Sequence, residues 1–553
     1  MMNSKNVHPV LLELLHKRNI KGDDAIRRFL APTMADIAVP DCPDLERAAE
    51  VIGQAVAGKR HILICGDYDA DGITAAALLK KALDRMGARV SVFLPSRFEG
   101  GFGLSQETVD YARDQQVDLV ITVDNGISSI HETAAMKQLG LQVVVTDHHE
   151  PGPDLPEADV LVDPKLGGWQ PGDENLAGVG VVFKLLQVLR RKGVISAFPK
   201  DMLELVAVGT VCDVVPLTGE NRVLVKLGLQ RLQFPHNRGL RALMDVAGVK
   251  EVTAYTIGFI LGPRLNAAGR LDHPDKAFRL LTDGDDAALA RYAGELDALN
   301  AQRRQEEEDA WQRCLSRVRF GRQPILLYAD DEAGEGIIGL LASRLSRRFH
   351  RPALVVTTTC TPAKASGRNI AGVNILQHLS RAAHLLRSYG GHEMACGFSI
   401  DEENLPALAQ FYREYTLNLP ARDVAWDMKL PITDVSRNLI DALDLLRPYG
   451  AGNRKPLFMS GAMILDSARV VGGKHLKLAF RTPAGIVGAM CWRKGEHVQA
   501  FQPGECYQAT YFPYINTFRG EHMELEIRHI QPAEDVTMPM AAEDTAAWPG
   551  KSN

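Results

Sequence analysis

Three aspartates at alternate positions, Asp67, Asp69 and Asp71, follow the apolar run His61–Gly66 and precede Gly72. In an extended segment this alternation puts the three carboxylates on one side of the chain. Left uncompensated they repel one another, so they call for a cation or for protonation. The pattern D-x-D-x-D-G also opens a calcium EF-hand loop. That rival fails because the twelfth loop position is Leu78 rather than a bidentate glutamate. The EF-hand also needs a helix before its loop, and the preceding segment reads as a strand.

Further acidic groups end further apolar runs. Asp124-Asn125-Gly126 follows Leu119–Val123, Asp147-His148-His149-Glu150 follows Val143–Thr146, and Asp213 ends Leu205–Cys212. The four sites are read as the carboxyl ends of strands in a parallel sheet, where ligands of open α/β folds bind. Each later cluster also has a plainer reading. Asp-Asn-Gly makes an ordinary turn, Asp147 can cap a helix beside incidental histidines, and Asp213 can be a simple cap. Together the carboxylates and imidazole exceed what one ion needs. They suit two Mn²⁺ or Mg²⁺ ions about 3.5–4 Å apart, an arrangement that activates water and clamps both oxygens of an in-line displacement. The reaction class read from these residues is hydrolysis of a phosphoester or phosphoanhydride. No Walker loop is present, so ATP-driven motion is not indicated.

The elements that must position these groups follow from periodicity. From about residue 60, short apolar runs alternate with helical stretches, as in a parallel sheet covered on both faces. Helices are expected at 180–192 and 201–211, and residues 220–285 read as mostly helical with a break at Gly262-Pro263-Arg264. The stretch 286–318 is rich in Ala, Leu, Glu and Arg and reads as a long connecting helix. A second α/β unit is expected over 321–418. Short strands with Gly and Pro turns over 419–534 suggest an OB-like β-barrel. The expected layout is therefore a helical lead-in (1–50), a parallel-sheet catalytic domain (51–220), a helical region and linker (221–320), the second α/β lobe, the barrel, and a disordered tail (535–553).

Composition narrows the class without deciding it. The 553 residues are 46% hydrophobic and 24% charged, with a net charge of −5, ordinary values for a soluble protein. No apolar run reaches the roughly 18 residues of a spanning helix, and the first residues lack an apolar signal core, so no membrane role is expected. Eight scattered cysteines without a C-x-x-C pair fit a reducing cytoplasm. The mild negative charge does not announce a nucleic-acid binder, although Arg344, Arg347, Arg348 and Arg351 make a local basic cluster.

Four segments suit phosphate: Ser96-Arg97-Phe98, the Gly-flanked stretch from Gly262 to Arg270 carrying Arg264 and Arg270, Ser366-Gly367-Arg368-Asn369, and Gly390-Gly391-His392. Guanidinium forks and backbone N–H groups hold phosphate oxygens. Each segment is weak alone, and a satisfied structural His392 is an equal reading.

The ordered set of motifs resembles the DHH phosphoesterase family and, within it, the RecJ branch of single-stranded-DNA exonucleases. The residues that carry the resemblance are Gly66–Gly72, Val123–Gly126, Thr146–His149, Leu176–Gly180, Gly209–Leu217, Gly262–Asp272, Ser366–Arg368 and Gly390–His392. It implies a DHH lobe, a DHHA1 lobe and an oligonucleotide-binding barrel. It implies Asp69, Asp71, Asp124, His148 and Asp213 as ligands of Mn²⁺ or Mg²⁺, with Asp67 and His149 as catalytic neighbours beside Asp124. Arg97, Arg264, Arg270, Ser366, Arg368 and His392 would hold the DNA. The implied activity is 5′→3′ degradation of single-stranded DNA in repair and recombination. The implied setting is a cytoplasmic monomer, with a single-strand-binding protein or helicase as partner. A phosphodiesterase of short oligonucleotides or cyclic dinucleotides, and an inactive DNA-binding scaffold, are the alternatives within the family. The chain departs from the family's pattern at two places. Cys65 stands where many DHH relatives have His, as suits the RecJ branch. Gly334-Glu335-Gly336 stands where RecJ proteins carry His-Gln-Gly, which adds a negative charge near the expected DNA.

Overall fold

The structure is a computed structural model that describes residues 7–96, 103–169, 172–317, 321, 323–420, 425–483, 485–518 and 520–533. The sequence-predicted Arg97 site and the tail from 535 lie outside the described residues. The chain forms two compact units. One takes residues 31–422 together with 448–454, and the other takes 1–30, 423–447 and the remainder from 455.

The first unit is built on a parallel sheet of β1 (His61–Gly66), β2 (Arg89–Phe93), β3 (Leu119–Val123), β4 (Gln142–Thr146) and β5 (Val160–Val162), in the order β2-β1-β3-β4-β5. Its central strands are rich in β-branched residues and buried along their length, as two-sided burial requires. Alternation divides their side chains between two cores. Ile62, Ile64, Ile121 and Val144 face one, and Leu63, Cys65, Val120 and Val143 face the other. The register pairs Gly66 with Val123 and Val123 with Thr146, so β1, β3 and β4 end level. Against the first face pack α1 (Ala70–Asp84), α2 (Gly178–Arg191) and α3 (Met202–Cys212), followed by α4 (Gly219–Leu232).

Two expectations change here. The run ending at Asp213 is the helix expected over 201–211 (α3), so the competing reading of Asp213 as a strand end fails and it sits at the helix C-terminus. A short buried apolar run has no periodicity that distinguishes the two. The break expected at Gly262-Pro263-Arg264 is also absent. The chain stays helical through a π-turn at Ile257–Leu261 into α5 (Gly262–Leu271), with Pro263 just after the π-turn.

The long helix α6 runs over Asp286–Arg317. Beyond it, β6 (Leu326–Asp330), β7 (Ala353–Thr357), β8 (Ala363–Arg368), β9 (Ser388–Gly391) and β10 (Ala395–Ile400) form a mixed sheet in the order β6-β7-β8-β10-β9. Only β6 and β7 pair in parallel, joined by α7 (Glu335–Phe349). The buried carboxylate of Asp330 ties this sheet to α6, accepting from Arg313 at 3.1 Å and from the Tyr328 hydroxyl at 2.8 Å. Two arginines of the basic cluster read from the sequence are engaged at this junction, while Arg347 and Arg348 stay exposed. Arg344 lies over Trp311 and pairs with Glu308, while Arg351 donates to the carbonyls of Gly321 and Gln323.

In the other unit, strands Met463–Val471, His475–Thr482, Gly485–Cys491, Cys506–Asn516 and His522–Pro532 close into a five-stranded barrel. Inside it Glu524 takes hydrogen bonds from Lys477, Tyr514 and Asn516 at 2.7–2.8 Å. The helices Pro9–Lys17 and Asp23–Leu30 belong to this unit, whereas Pro43–Ala57 packs on the parallel sheet. The expected lead-in 1–50 is thus divided between two units.

Candidate metal centre

The β1 loop turns back into a helix because its own side chains cap it. Asp69 is the N-cap of α1, its Oδ1 accepting from the N–H groups of Asp71 (2.9 Å) and Gly72 (3.2 Å). Gly72 is required there, since a Cβ would lie 2.5 Å from the Asp67 nitrogen. Asp71 points the other way, onto the start of α2. Its two oxygens accept from Gly178 N–H at 2.7 Å and Val179 N–H at 3.0 Å. A helix N-terminus is a natural seat for a carboxylate.

Asp124 leaves β3 at φ +64°, an uncommon conformation outside glycine. Asn125, buried beneath it, donates to the carbonyls of Cys65 and Val123 and so ties the ends of β1 and β3 together. Gly178 packs so closely on Asp124 that a Cβ would come within 2.5 Å of the aspartate Cβ. At the end of β4, Asp147 accepts from the N–H of His148 and of Ile127 and from His149 Nδ1 at 2.7 Å.

These elements bring together Asp67, Asp69, Asp71, Asp124, His148, His149 and Asp213. Three sets of ligand atoms, each mutually within 4.8 Å, occur among the described residues: Asp67, Asp69 and Asp124; Asp71, His148 and Asp213; and Asp124, His148 and His149. The first two sets share no residue, and Asp124 recurs in the third, so there are enough donors for two neighbouring ions with a shared carboxylate between them. His148 Nε2 faces Asp124 Oδ1 at 3.0 Å, Asp213 Oδ2 at 3.6 Å and Asp71 Oδ2 at 3.9 Å.

The electrostatics are those of an acidic site built for cations. Burial, then the charges of Asp213 and Asp69, push Asp71 well above the usual carboxylate range, against the pull of the Gly178 and Val179 N–H groups. Burial, then Asp71, Asp69 and its other acidic neighbours, raise Asp124 likewise. Burial, then Asp69, raises Asp213 to about 7. Burial, then His149, lowers His148 to about 3, so its ring is neutral. The ring hydrogen-bonds the Leu176 backbone while buried Nε2 makes no hydrogen bond of its own among the described residues. A neutral imidazole lone pair aimed at three carboxylates calls for a cation, or a carboxyl proton, between them. The residues present therefore fit divalent metal. His149 behaves oppositely. Burial alone would lower it, but the Asp147 hydrogen bond and the charges of Asp147, Asp213 and Asp67 outweigh that and raise it to about 9.

The expected phosphate-binding residues divide. Arg270, Ser366 and Arg368 line one cavity of about 700 Å³ at the second sheet, together with Lys364, Glu335 and Gly390. Arg368 donates to Ser366 Oγ at 3.0 Å, and Lys364 pairs with Glu335 at 2.8 Å. The cavity connects to the acidic loop through α5. Asn266 accepts from Ala70 N–H at 2.7 Å, a Cβ at Gly269 would meet the Tyr68 carbonyl at 2.5 Å, and one at Gly336 would meet the Arg270 carbonyl at 2.2 Å. Arg264 is not part of it, being paired with Asp297 at 2.8 Å and bonded to the Ile260 carbonyl. His392 is exposed just past the end of β9, not in the turn expected at Gly390-Gly391, and does not line the cavity.

Sequence reasoning named Asp147 and the Leu176–Gly180 segment but not the contacts through which they support the site, and it missed Asp163. Asp147, Leu176 and the Gly178-Val179 amides orient the ligands, and buried Asp163 follows β5 beside them. The position of Asp163 after β5 is the signal that could have found it.

The sheet order, the acidic strand ends and the second lobe together define a DHH-type protein. Family models agree, with the DHH family, N-terminal domain matching residues 61–210 and the DHHA1 domain matching 322–418. A third model, the RecJ OB domain, matches 426–529. The single-stranded-DNA-specific exonuclease RecJ of Escherichia coli is 34% identical over 95% of this chain and 96% of its own length. The Bacillus subtilis protein of the same name is 34% identical over 90% of the chain, which spans 65% of that relative. Among solved structures, RecJ from Thermus thermophilus in complex with Mn²⁺ superposes with a TM-score of 0.84 at 32% identity, covering 96% of this chain and 77% of that one. Its Mg²⁺ complex gives a TM-score of 0.77 at 30% identity, covering 96% and 75%. The chain belongs to the RecJ family.

Proposed function

We propose that the chain is a divalent-metal-dependent exonuclease that removes nucleotides from the 5′ end of single-stranded DNA. The observation that carries this reading is the junction at Gly269-Arg270. It sets a cavity holding two arginines directly beside the acidic loop of Asp67, Asp69 and Asp71. Asp69, Asp71, Asp124, His148 and Asp213 would hold two Mn²⁺ or Mg²⁺ ions, with Asp67 close by. When bound, the ions supply an activated water and neutralise charge on the scissile phosphate. Arg270, Arg368 and Ser366 would grip the terminal phosphate through charge-assisted hydrogen bonds, fixing where along the strand the cut falls. His149, protonated at neutral pH and held by Asp147, would hold a proton for the departing oxygen. Asp147 keeps the ring oriented through turnover.

The RecJ relatives are named for single-stranded DNA, and the matched barrel domain supports a substrate longer than a dinucleotide. A monomer working in the cytoplasm beside a single-strand-binding protein or helicase fits this reading. No helix of the described residues is long and apolar enough to cross a membrane. The test is digestion of 5′-labelled and 3′-labelled oligonucleotides, single-stranded or in duplex, with Mn²⁺, Mg²⁺ or EDTA. Label should leave first from the 5′ end of single strands, only with metal. Equal digestion of blunt duplex, or turnover in EDTA, would overturn the proposal.

A further inference from the structure

Residues 448–454 fall in sequence within the barrel segment, yet they belong to the catalytic unit. Pro448-Tyr449-Gly450-Ala451-Gly452-Asn453-Arg454 forms a tight loop. Gly450 and Asn453 exchange backbone hydrogen bonds at 3.1 and 3.2 Å, and the buried Asn453 amide donates to the Pro448 carbonyl at 2.7 Å. The loop seats on the stretch that follows Asp213. Leu217 N–H donates to the Ala451 carbonyl at 2.7 Å. A Cβ at Gly450 would lie 2.7 Å from Leu217 Cδ1. One at Gly452, which has φ +67°, would lie 3.0 Å from Pro216 Cβ and 3.1 Å from Thr218 Cγ2. The buried Arg222 of α4 donates to the Pro448 carbonyl at 3.3 Å.

What the loop holds is strained. Val214, next to Asp213, adopts φ +65° with its side chain largely exposed. A β-branched residue enters this region only where its surroundings over-determine it, and an exposed side chain cannot supply that constraint. On the helix side Asp213 is fixed by its N–H to Gly209. On the other side the turn is closed by Leu217 on Ala451. From here the constraint spreads to the other ligands of the same set. Asn221 donates to the carbonyls of Pro216 and Asn175. The next residue, Leu176, hydrogen-bonds His148, and Gly178 and Val179 hold Asp71.

We propose that loop 448–454 is a strap that positions Asp213, and through Pro216 and Asn221 the His148–Asp71 side of the centre, for divalent metal. The affinity of the catalytic site for metal then depends on Gly450, Gly452 and Asn453, far downstream in the chain. The inference rests on the metal reading of the centre and is independent of which substrate is cut.

The test uses full-length Asn453→Ala and Gly452→Ala. Mn²⁺ binding is measured by titration calorimetry without DNA, and hydrogen exchange is followed in the peptide spanning 213–218. Oligonucleotide affinity is measured in EDTA. Exchange at the Leu217 amide should accelerate and Mn²⁺ affinity should fall about tenfold or more, as for loss of a ligand-orienting contact. Cleavage should recover at high Mn²⁺, with oligonucleotide affinity in EDTA unchanged. A purely structural role would leave Mn²⁺ affinity unchanged while exchange rises, and that result overturns the proposal. So does unchanged exchange in both variants. If Gly452→Ala does not fold, Asn453→Ala decides alone, because it only removes atoms. A parent chain that binds Mn²⁺ but spares single-stranded DNA refutes the proposed substrate and leaves the strap standing. A parent that binds no Mn²⁺ refutes both.

Discussion

Replacing Asp213 by asparagine separates what the acidic centre costs the fold from what it does. In the metal-free chain burial, followed by the charge of Asp69, holds this carboxyl at about 7, some three units above the ordinary value of about 3.9. The folded state therefore takes up the proton more readily than the unfolded chain. Ionised Asp213 destabilises the fold at every pH above about 7, and the penalty fades as pH falls toward the unfolded value. Three units at 1.36 kcal/mol each give about 4 kcal/mol. The side chain is 21% exposed and its neighbours adjust their own protonation, so an expectation of about 2–4 kcal/mol is appropriate. In EDTA at pH 8, Asp213→Asn should be more stable than the parent by that amount. By pH 5 the gap should shrink to less than about half. With Mn²⁺ at a hundred times its dissociation constant the parent should gain about 2.7 kcal/mol, whereas the variant, lacking the proposed ligand carboxylate, should gain far less. Calorimetric melting follows this directly, since the transition that moves with Mn²⁺ identifies the catalytic unit. A variant less stable than the parent in EDTA at pH 8, or an advantage independent of pH, would refute the reasoning.

Other outcomes follow from the same geometry. Asp71→Asn or Asp124→Asn should lower exonuclease turnover by at least about 10³-fold, because each carboxylate serves a ligand set. Oligonucleotide retention on filters in EDTA should stay near that of the parent, and substantial residual turnover would count against the metal assignment. Arg368→Ala should weaken oligonucleotide binding and reduce the slope of log affinity against log salt by about 0.7. An unchanged slope would remove Arg368 from the phosphate site. In the barrel, burial alone would raise Glu524, but hydrogen bonds from Lys477, Tyr514 and Asn516 outweigh it and lower the group to about 2. Its contribution to stability is present above the unfolded value near 4.3 and is lost as pH falls toward about 2. Glu524→Gln should cost the barrel about 2–4 kcal/mol in urea unfolding at pH 7, and a neutral effect would show that the hub is not coupled to folding.

The sequence is most informative where one period dominates. The β-branched runs of β3 and β4 and the turn-bounded strands of the barrel each admit a single local structure, and the structure follows them. The alternation of Asp67, Asp69 and Asp71, in contrast, is broken, because the chain turns helical at Ala70 in α1 and Asp71 points to the start of α2. It is least informative where partners are distant. The run before Asp213 is apolar on every side, so it reads both as a helix over 201–211 and as ending like a strand, and only the helix holds. Arg264 looks like a phosphate ligand until Asp297, a full element away, occupies it. The Gly262-Pro263 pair reads as a break because a π-turn, which depends on neighbouring packing, leaves no composition signal. The sequence places Asp147 at a strand end beside the histidines, yet nothing local shows that its oxygens serve His149 and Ile127. No local pattern foretells that residues 448–454 leave the barrel unit to pack on α4.

The level ends of β1, β3 and β4 have one further consequence. Adjacent strands lie about 4.8 Å apart, and with Gly66 beside Val123 and Val123 beside Thr146, the backbone ladder acts as a ruler for the acidic loops. The spacing of the centre is set by peptide hydrogen bonds rather than by the strand side chains. Val, Ile and Leu can therefore exchange within these strands at little cost to the geometry. A one-residue insertion or deletion would shift one mark on the ruler and turn a carboxylate to the opposite face. The site should tolerate drift in composition and be intolerant of changes in strand length.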